Sequence, residues 1–178
     1  MINIKTQRLV IRNFLYEDWV ELQEIIIDKE ASKYAVYDHQ FPTSDIEVQE
    51  IAKWFSQSDS FLAVYLESAK RIIGFIALNG ETATEKDLGY CICSTYQGQG
   101  YASEACTAVI DYVFDTMGTE RLTSGTANAN LPSCNLLNKL GFKKTGEGIA
   151  YFRKTSEGTP IEFIGSAFIL AKTNWVKK

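Results

Sequence analysis

The sequence predicts an α/β domain built on one mixed sheet with a single parallel strand pair, and three observations predict it. Two β-rich runs, FLAVYL (61–66) and RIIGFIAL (71–78), are joined by a short polar turn and read as a hairpin. The middle of the chain then reads strand–helix–strand–helix, which makes two strands parallel across a helical crossover. The chain closes on two further β-rich segments, around 144–152 and 161–170, linked by the polar stretch TSEGTP.

The 178 residues suit one domain, 1–178. A chain of this size buries about 70% of its unfolded surface, enough for a core without disulfide or metal staples. Apolar residues make up 46% and charged residues 22%, which argues against disorder. The net charge of −4 supplies no basic field for nucleic acid or a membrane surface. The opening MINIKTQRLVIRNF has neither a signal-peptide apolar core nor a run long enough to span a bilayer, so a cytoplasmic protein is expected. Cys91, Cys93, Cys106 and Cys134 show no C-x-x-C spacing, and the one histidine, His39, is remote in sequence. No metal site is expected, and the cysteines read as reduced, small hydrophobes.

Taken in order, Arg8–Arg12 reads as a first strand. A helix follows with Trp19, Leu22, Ile25 and Ile26 on one face. Ser44 with Glu47 three residues on reads as a capping box that opens a second helix, whose apolar face is Val48, Ile51, Ala52 and Phe55. After the hairpin, Asp87–Cys93 is a strand with Leu88, Tyr90 and Ile92 on one face and Gly89, Cys91 and Cys93 on the other. A long helix carries Ala102, Ala105, Cys106, Val109, Tyr112, Val113 and Met117 at helical spacing, and Gly118 stops it. Arg121–Ala127 is the next strand. Asn130 caps a short helix with Leu136, Leu137 and Leu140 inside and Gly141 at its end.

The segment DLGYCICSTYQGQGYASEAC (87–106) is the most informative. A strand runs into a loop containing Gln97, Gly98 and Gly100, and the loop runs straight into an amphipathic helix. Glycines let the backbone approach an anion, and the helix start offers unpaired N–H groups and partial positive charge, so a diphosphate suits the turn. The alternative is a strand–helix turn with no ligand. No Gly-Lys-Ser/Thr follows, which excludes a P-loop. A dinucleotide-binding fingerprint is weak, because Ser103 stands where Gly or Ala is needed and Glu120 starts the next strand instead of ending it.

The pattern Gln97-x-x-Gly100-x-Ala102 resembles the acetyl-CoA motif of the GCN5-related N-acetyltransferases (GNAT). TQRLVIR (6–12), FPTSDIEVQEIAKWF (41–55) and NLPSCNLLNKLGFKKTGE (130–147) are similar to successive segments of that superfamily's ribosomal-protein N-acetyltransferase-like branch. The resemblance implies a mostly antiparallel sheet splayed around acetyl-CoA at its one parallel pair, flanked by about four helices. It also implies transfer of an acetyl group to a primary amine, on a protein N-terminus or a small molecule, by direct attack in a ternary complex. The other implied outcome is a catalytically silent acyl-CoA-binding module. A homodimer is left open.

Residue by residue, the resemblance implies that the main chain of Ile92 and Cys93 pairs with the pantetheine arm. Gln97, Gly98, Gln99, Gly100, Tyr101 and Ala102 would hold the diphosphate by backbone N–H groups, with Gln99 standing where many relatives carry Lys or Arg. Asn130 would face the pantetheine, and Ser133 would hydrogen-bond the departing thiolate. Both also suit a helix start on their own account. Leu137 occupies the position where other members carry a tyrosine acid, and Tyr96 has no assigned role. Asp87, at the head of DLGY, is the candidate base. With an ordinary aspartate pKa of about 3.9 it needs partial burial or a water to serve, and otherwise it is a solvated strand-end carboxylate. Glu104 reads as complementing the helix dipole. Tyr34 and Tyr37, in the connection EASKYAVYDHQFP (30–42), would border a cationic acceptor, with His39 packed in the same loop. A cysteine nucleophile is rejected, since nothing places His39 beside one.

Overall fold

The computed structural model describes residues 1–80 and 82–177. The chain runs β1 (Asn3–Lys5), β2 (Leu9–Asn13), α1 (Trp19–Ala31), α2 (Asp45–Ser56), β3 (Phe61–Leu66) and β4 (Arg71–Asn79). It continues through β5 (Glu85–Ile92), α3 (Tyr101–Thr116), β6 (Arg121–Ala127), α4 (Leu131–Leu140), β7 (Lys143–Ala150) and β8 (Phe163–Ala171). All eight strands form one sheet in the order β1-β2-β3-β4-β5-β6-β8-β7. Neighbours are antiparallel throughout, except for the parallel pair β5 and β6. The expected mixed sheet with its one parallel pair and four helices is therefore present.

Two local expectations need correction. Arg8–Arg12 is not the start of the sheet, because Asn3–Lys5 pairs with it as a preceding strand too short to show an alternation. Ser44 does stand at the head of α2 with extended backbone, but the capping box does not form. Its hydroxyl bonds to the Glu47 carboxylate at 2.5 Å, so the two side chains satisfy each other and not the helix N–H groups.

Amphipathicity decides how the helices cover the sheet. On one face α1 and α2 turn Leu22, Ile25, Ile26, Val48, Ala52 and Phe55 inward, and the Phe55 ring stacks on Phe61 at 3.8 Å. On the other face α3 and α4 bury Val109, Val113, Leu137 and Leu140 against Leu88, Ile92 and Leu122. Strand β5 therefore contributes to both layers, Leu88 and Ile92 to one and Cys91 to the other. Among the described residues no helix is long and apolar enough to cross a membrane.

The parallel pair is short. Strands β5 and β6 are in register only over Glu85–Asp87 and Arg121–Thr123. Just beyond, the buried Ser124 hydroxyl donates to the Leu88 carbonyl at 2.8 Å. From there β6 continues in register with β8 as far as Ala127, while Leu88–Ile92 continues beside β4 alone. The sheet opens into a wedge between them.

Candidate active site

Backbone alternation decides what β5 presents to the wedge. The Cys93 N–H bonds to the Ile73 carbonyl of β4 at 2.9 Å, and the Leu88 carbonyl faces β6. Residues of the Leu88 parity, Tyr90 and Ile92, therefore turn their main-chain groups toward the opening. The Ile92 carbonyl accepts from Gln97 Nε2 at 2.7 Å, which leaves its N–H as the group offered at the mouth. Cys93 differs from Ile92. Its N–H is engaged by β4 and its carbonyl by the Tyr96 N–H at 2.9 Å, so its main chain serves the fold.

The turn that follows has the geometry of an anion cradle. Gly98 and Gly100 both lie in the left-handed region, at φ +72° and +84°, and Gly100 is the N-cap of α3. A side chain at Gly98 would meet open space, so its requirement is conformational. At Gly100 a Cβ would also approach Arg8 Nη2 to 3.4 Å. The Gln99 side chain folds back to the Thr95 carbonyl (3.1 Å), leaving the turn's main chain exposed beside the first N–H groups of Tyr101 and Ala102. Glu104 does more than complement the dipole. It accepts from the Thr6 hydroxyl at 2.7 Å and from the Arg8 N–H and Nε at 2.9 and 2.7 Å. Burial works against its charge, but these hydrogen bonds hold its carboxyl below the usual range.

At the wedge, the α3/α4 face carries a hydroxyl pair. Asn130 caps α4 by accepting from the Ser133 N–H at 3.3 Å, which fixes Ser133 in the first turn. The Ser133 hydroxyl lies 2.8 Å from the Tyr90 hydroxyl, and the Ser133 carbonyl lies 3.3 Å from the same phenol. Burial pushes the Tyr90 phenol well above its ordinary pKa, so it stays protonated and serves as a donor. Leu137 is buried in the core, and a tyrosine hydroxyl reaches this helix from β5 instead. Tyr90 had no role in the sequence reading. Its signal was present in the alternation that turned it, with Leu88 and Ile92, toward the later helices.

Asp87 lies on the opposite face of the sheet, with Gly89 and Cys91, where β5 and β6 are still paired. Its Oδ2 accepts from the Thr123 hydroxyl at 2.9 Å. Burial raises its pKa above the ordinary aspartate value, the Thr123 bond counters part of the rise, and Glu85 adds to it. Partial burial is therefore met. Burial pushes the cysteine thiols on this face up, Cys91 to about 12 and Cys93 to about 11, which disfavours a thiolate at either.

The α1–α2 connection reaches across to the far side of the wedge on this same face. Tyr37 packs edge-on against Phe163 of β8 at 5.1 Å, with Tyr34 at 6.4 Å from Tyr37. His39 packs on Phe152 at 4.6 Å. Arg153, in the β7–β8 connection, clasps Glu30 at 2.8 and 3.0 Å and donates to the Asp38 carbonyl at 2.8 Å. Lys29 pairs with Asp38 at 3.0 Å. Two cations and two anions thus neutralise one another beside an aromatic wall.

Comparison with known proteins agrees with this architecture. The family model for the acetyltransferase (GNAT) domain matches residues 8–143. The uncharacterized N-acetyltransferase YnaD of Bacillus subtilis is 30% identical over 156 residues, spanning 86% of this chain and 87% of its own. The ribosomal-protein-S5-alanine acetyltransferase of Vibrio fischeri superposes with a TM-score of 0.82 at 18% identity, covering 99% of this chain and 100% of that one. The spermidine N-acetyltransferase of Vibrio cholerae, in complex with CoA and spermine, superposes at 0.78 with 16% identity over 95% and 98% of the two chains. With a wedge at the one parallel pair, a glycine turn at the head of α3 and a family match over most of its length, this chain belongs to the GNAT N-acetyltransferases, enzymes that use acetyl-CoA.

Proposed function

We propose that this protein transfers the acetyl group of acetyl-CoA to a primary amine by direct attack in a ternary complex. The observation that carries the reading is the placement of two groups able to handle a proton on opposite faces of the sheet, one at the last paired position before the opening and one inside it. Asp87 lies on the α1/α2 face, and the Tyr90–Ser133 pair lies on the α3/α4 face. A thioester held between them meets an amine from one side and loses its thiolate to the other.

The residues fit the donor substrate. The exposed N–H groups of Gly98 to Ala102 suit a diphosphate, and the Tyr90 and Ile92 main chain offers a strand edge to an extended amide-bearing arm. An N–H on that edge also suits the oxygen that gains charge during attack. Asp87 accepts the ammonium proton, helped by the burial that raises its basicity. Ser133, bonded to the Tyr90 phenol, donates a hydrogen bond to the leaving sulfur.

Tyr34, Tyr37 and Phe163 line the acceptor side. The structural neighbours act on a ribosomal protein in one case and on spermidine in another, both amines. In this chain the charges of Lys29, Glu30, Asp38 and Arg153 cancel, which suits a single amine beside apolar groups better than a polycation. Protein N-termini are therefore the first acceptors to try. The test is calorimetric titration with acetyl-CoA, with NAD as control, followed by CoA release against a panel of N-terminal peptides and small amines. Binding plus amine-dependent release is expected. Binding without turnover on any amine would leave a silent acyl-CoA module, and no binding by folded protein would end the reading.

A further inference from the structure

Arg8, the residue that leads into β2, reaches into the glycine turn. Its Nη1 donates to the Gln99 carbonyl at 3.0 Å, and its Nε donates to Glu104 Oε2 at 2.7 Å. Its guanidinium carbon stands 4.3 Å from the centre of the Tyr101 ring. Glu104 is held in turn by the Thr6 hydroxyl and the Arg8 N–H. A planar group is thus fixed by a carboxylate, a carbonyl and an aromatic face together, which an arginine can satisfy and a lysine cannot.

We infer that Arg8 is a positioning residue for the diphosphate cradle, acting by setting the plane of the Gln99–Gly100 peptide. The inference rests on the acetyltransferase reading. In a trans peptide the C=O and the following N–H point to opposite sides, and the described residues contain no cis peptide. With the Gln99 carbonyl drawn onto Arg8, the Gly100 N–H is turned away from the β1–β2 hairpin, as a donor for a diphosphate oxygen. The left-handed Gly100 permits this plane, and Arg8 selects it. The Gln99 side chain folds back onto Thr95, so at this position only the main chain faces the anion, and its orientation is set from Arg8.

The test compares two thioesters that differ in the diphosphate: acetyl-CoA and S-acetylpantetheine, each titrated calorimetrically into wild type, Arg8→Gln and Arg8→Lys, with melting curves alongside. Arg8→Gln should weaken acetyl-CoA by about tenfold, the worth of one hydrogen bond from a charged donor. Affinity for S-acetylpantetheine should not change, which also shows that the variant is folded. Arg8→Lys should behave like Arg8→Gln, because one ammonium cannot serve Gln99 and Glu104 in the same geometry. Unchanged acetyl-CoA affinity in Arg8→Gln, full recovery in Arg8→Lys, or equal losses for both thioesters would each overturn the inference. Failure of the wild type to bind acetyl-CoA would instead remove the acetyltransferase reading beneath it.

Discussion

The Tyr90–Ser133 pair yields a prediction that separates a packing bond from a catalytic one. Ser133→Ala removes the oxygen at 2.8 Å from the phenol but leaves the Ser133 carbonyl at 3.3 Å, so Tyr90 keeps an acceptor. The stability loss should therefore be that of a single ordinary hydrogen bond, about 0.5–1 kcal/mol. For a chain of this length it lowers the melting temperature by about 1–4 °C. Tyr90→Phe removes the same bond from its other end, so the double variant should fall short of the sum by about 0.5–1 kcal/mol. Activity should respond more strongly. If the pair stabilises the departing thiolate, Ser133→Ala forfeits a hydrogen bond to a charged group, about 1.5–3 kcal/mol, or about 10- to 150-fold in kcat, and Tyr90→Phe, which removes only the phenol behind that hydroxyl, should cost no more. The double variant should be no slower than the slower single, because one relay is broken only once. CoA release is best followed chromatographically, since the four free cysteines compete for thiol reagents. Multiplicative losses in kcat would refute the relay, and a melting shift with unchanged kcat would reduce the pair to packing.

Three further outcomes are expected. Asp87→Asn should lower turnover at neutral pH by about 100-fold or more while leaving acetyl-CoA affinity intact. Because burial raises the folded pKa of Asp87, its contribution to stability is full below the ordinary carboxylate range and is lost as pH rises through the folded value. The asparagine variant should accordingly melt higher than wild type at neutral pH and converge with it in acid, and a lower melting point at neutral pH would contradict that sign. Gly100→Glu places a side chain at φ +84° and adds a negative charge to the cradle, so acetyl-CoA binding should vanish in calorimetry while the fold persists by circular dichroism. Gly74→Ala would bring a methyl group to 2.1 Å from the Cys91 carbonyl and 2.7 Å from Ile92 Cδ1. It should destabilise the protein by about 3 kcal/mol or more in denaturant melts, and a loss under about 1 kcal/mol would mean the strands separate easily.

What was legible in the sequence is what depends on neighbours along the chain. The alternation of β5, the helical spacing of α3 and the glycine turn between them are local patterns, and they place Ile92, Gly100 and Ala102 without knowledge of the rest. The contacts that finish the site join remote residues. Arg8 meets Gln99, Arg153 meets Glu30, and Tyr90 meets Ser133. Nothing in one sequence specifies such pairs, because each side chain alone suits an ordinary exposed or half-buried position. The capping box failed for a related reason. Ser44 and Glu47 have the right spacing, yet a hydroxyl free to donate takes the nearest carboxylate when the helix start is exposed. Edge strand β7 gave no alternation to read at all, since almost every residue in Lys143–Ala150 is exposed on both faces.

The wedge and the cradle are two consequences of one topological choice. A parallel pair requires a crossover, and the crossover helix must begin where its strand ends, so α3 presents its N-terminus at the Ile92 end of β5. Pairing that stopped at Ile92 would have consumed the edge beneath that terminus. Instead the register ends at Asp87 and the Ser124 hydroxyl takes the Leu88 carbonyl, which closes the pair with a side chain and releases the main chain of Tyr90 and the N–H of Ile92. The free strand edge thus leads directly into the N–H groups at the head of α3. A ligand with an extended amide arm and a terminal diphosphate fits that continuity better than an anion alone, which would use the turn and leave the edge unsatisfied. For that reason the geometry of β5 argues for a CoA thioester more strongly than the glycines do.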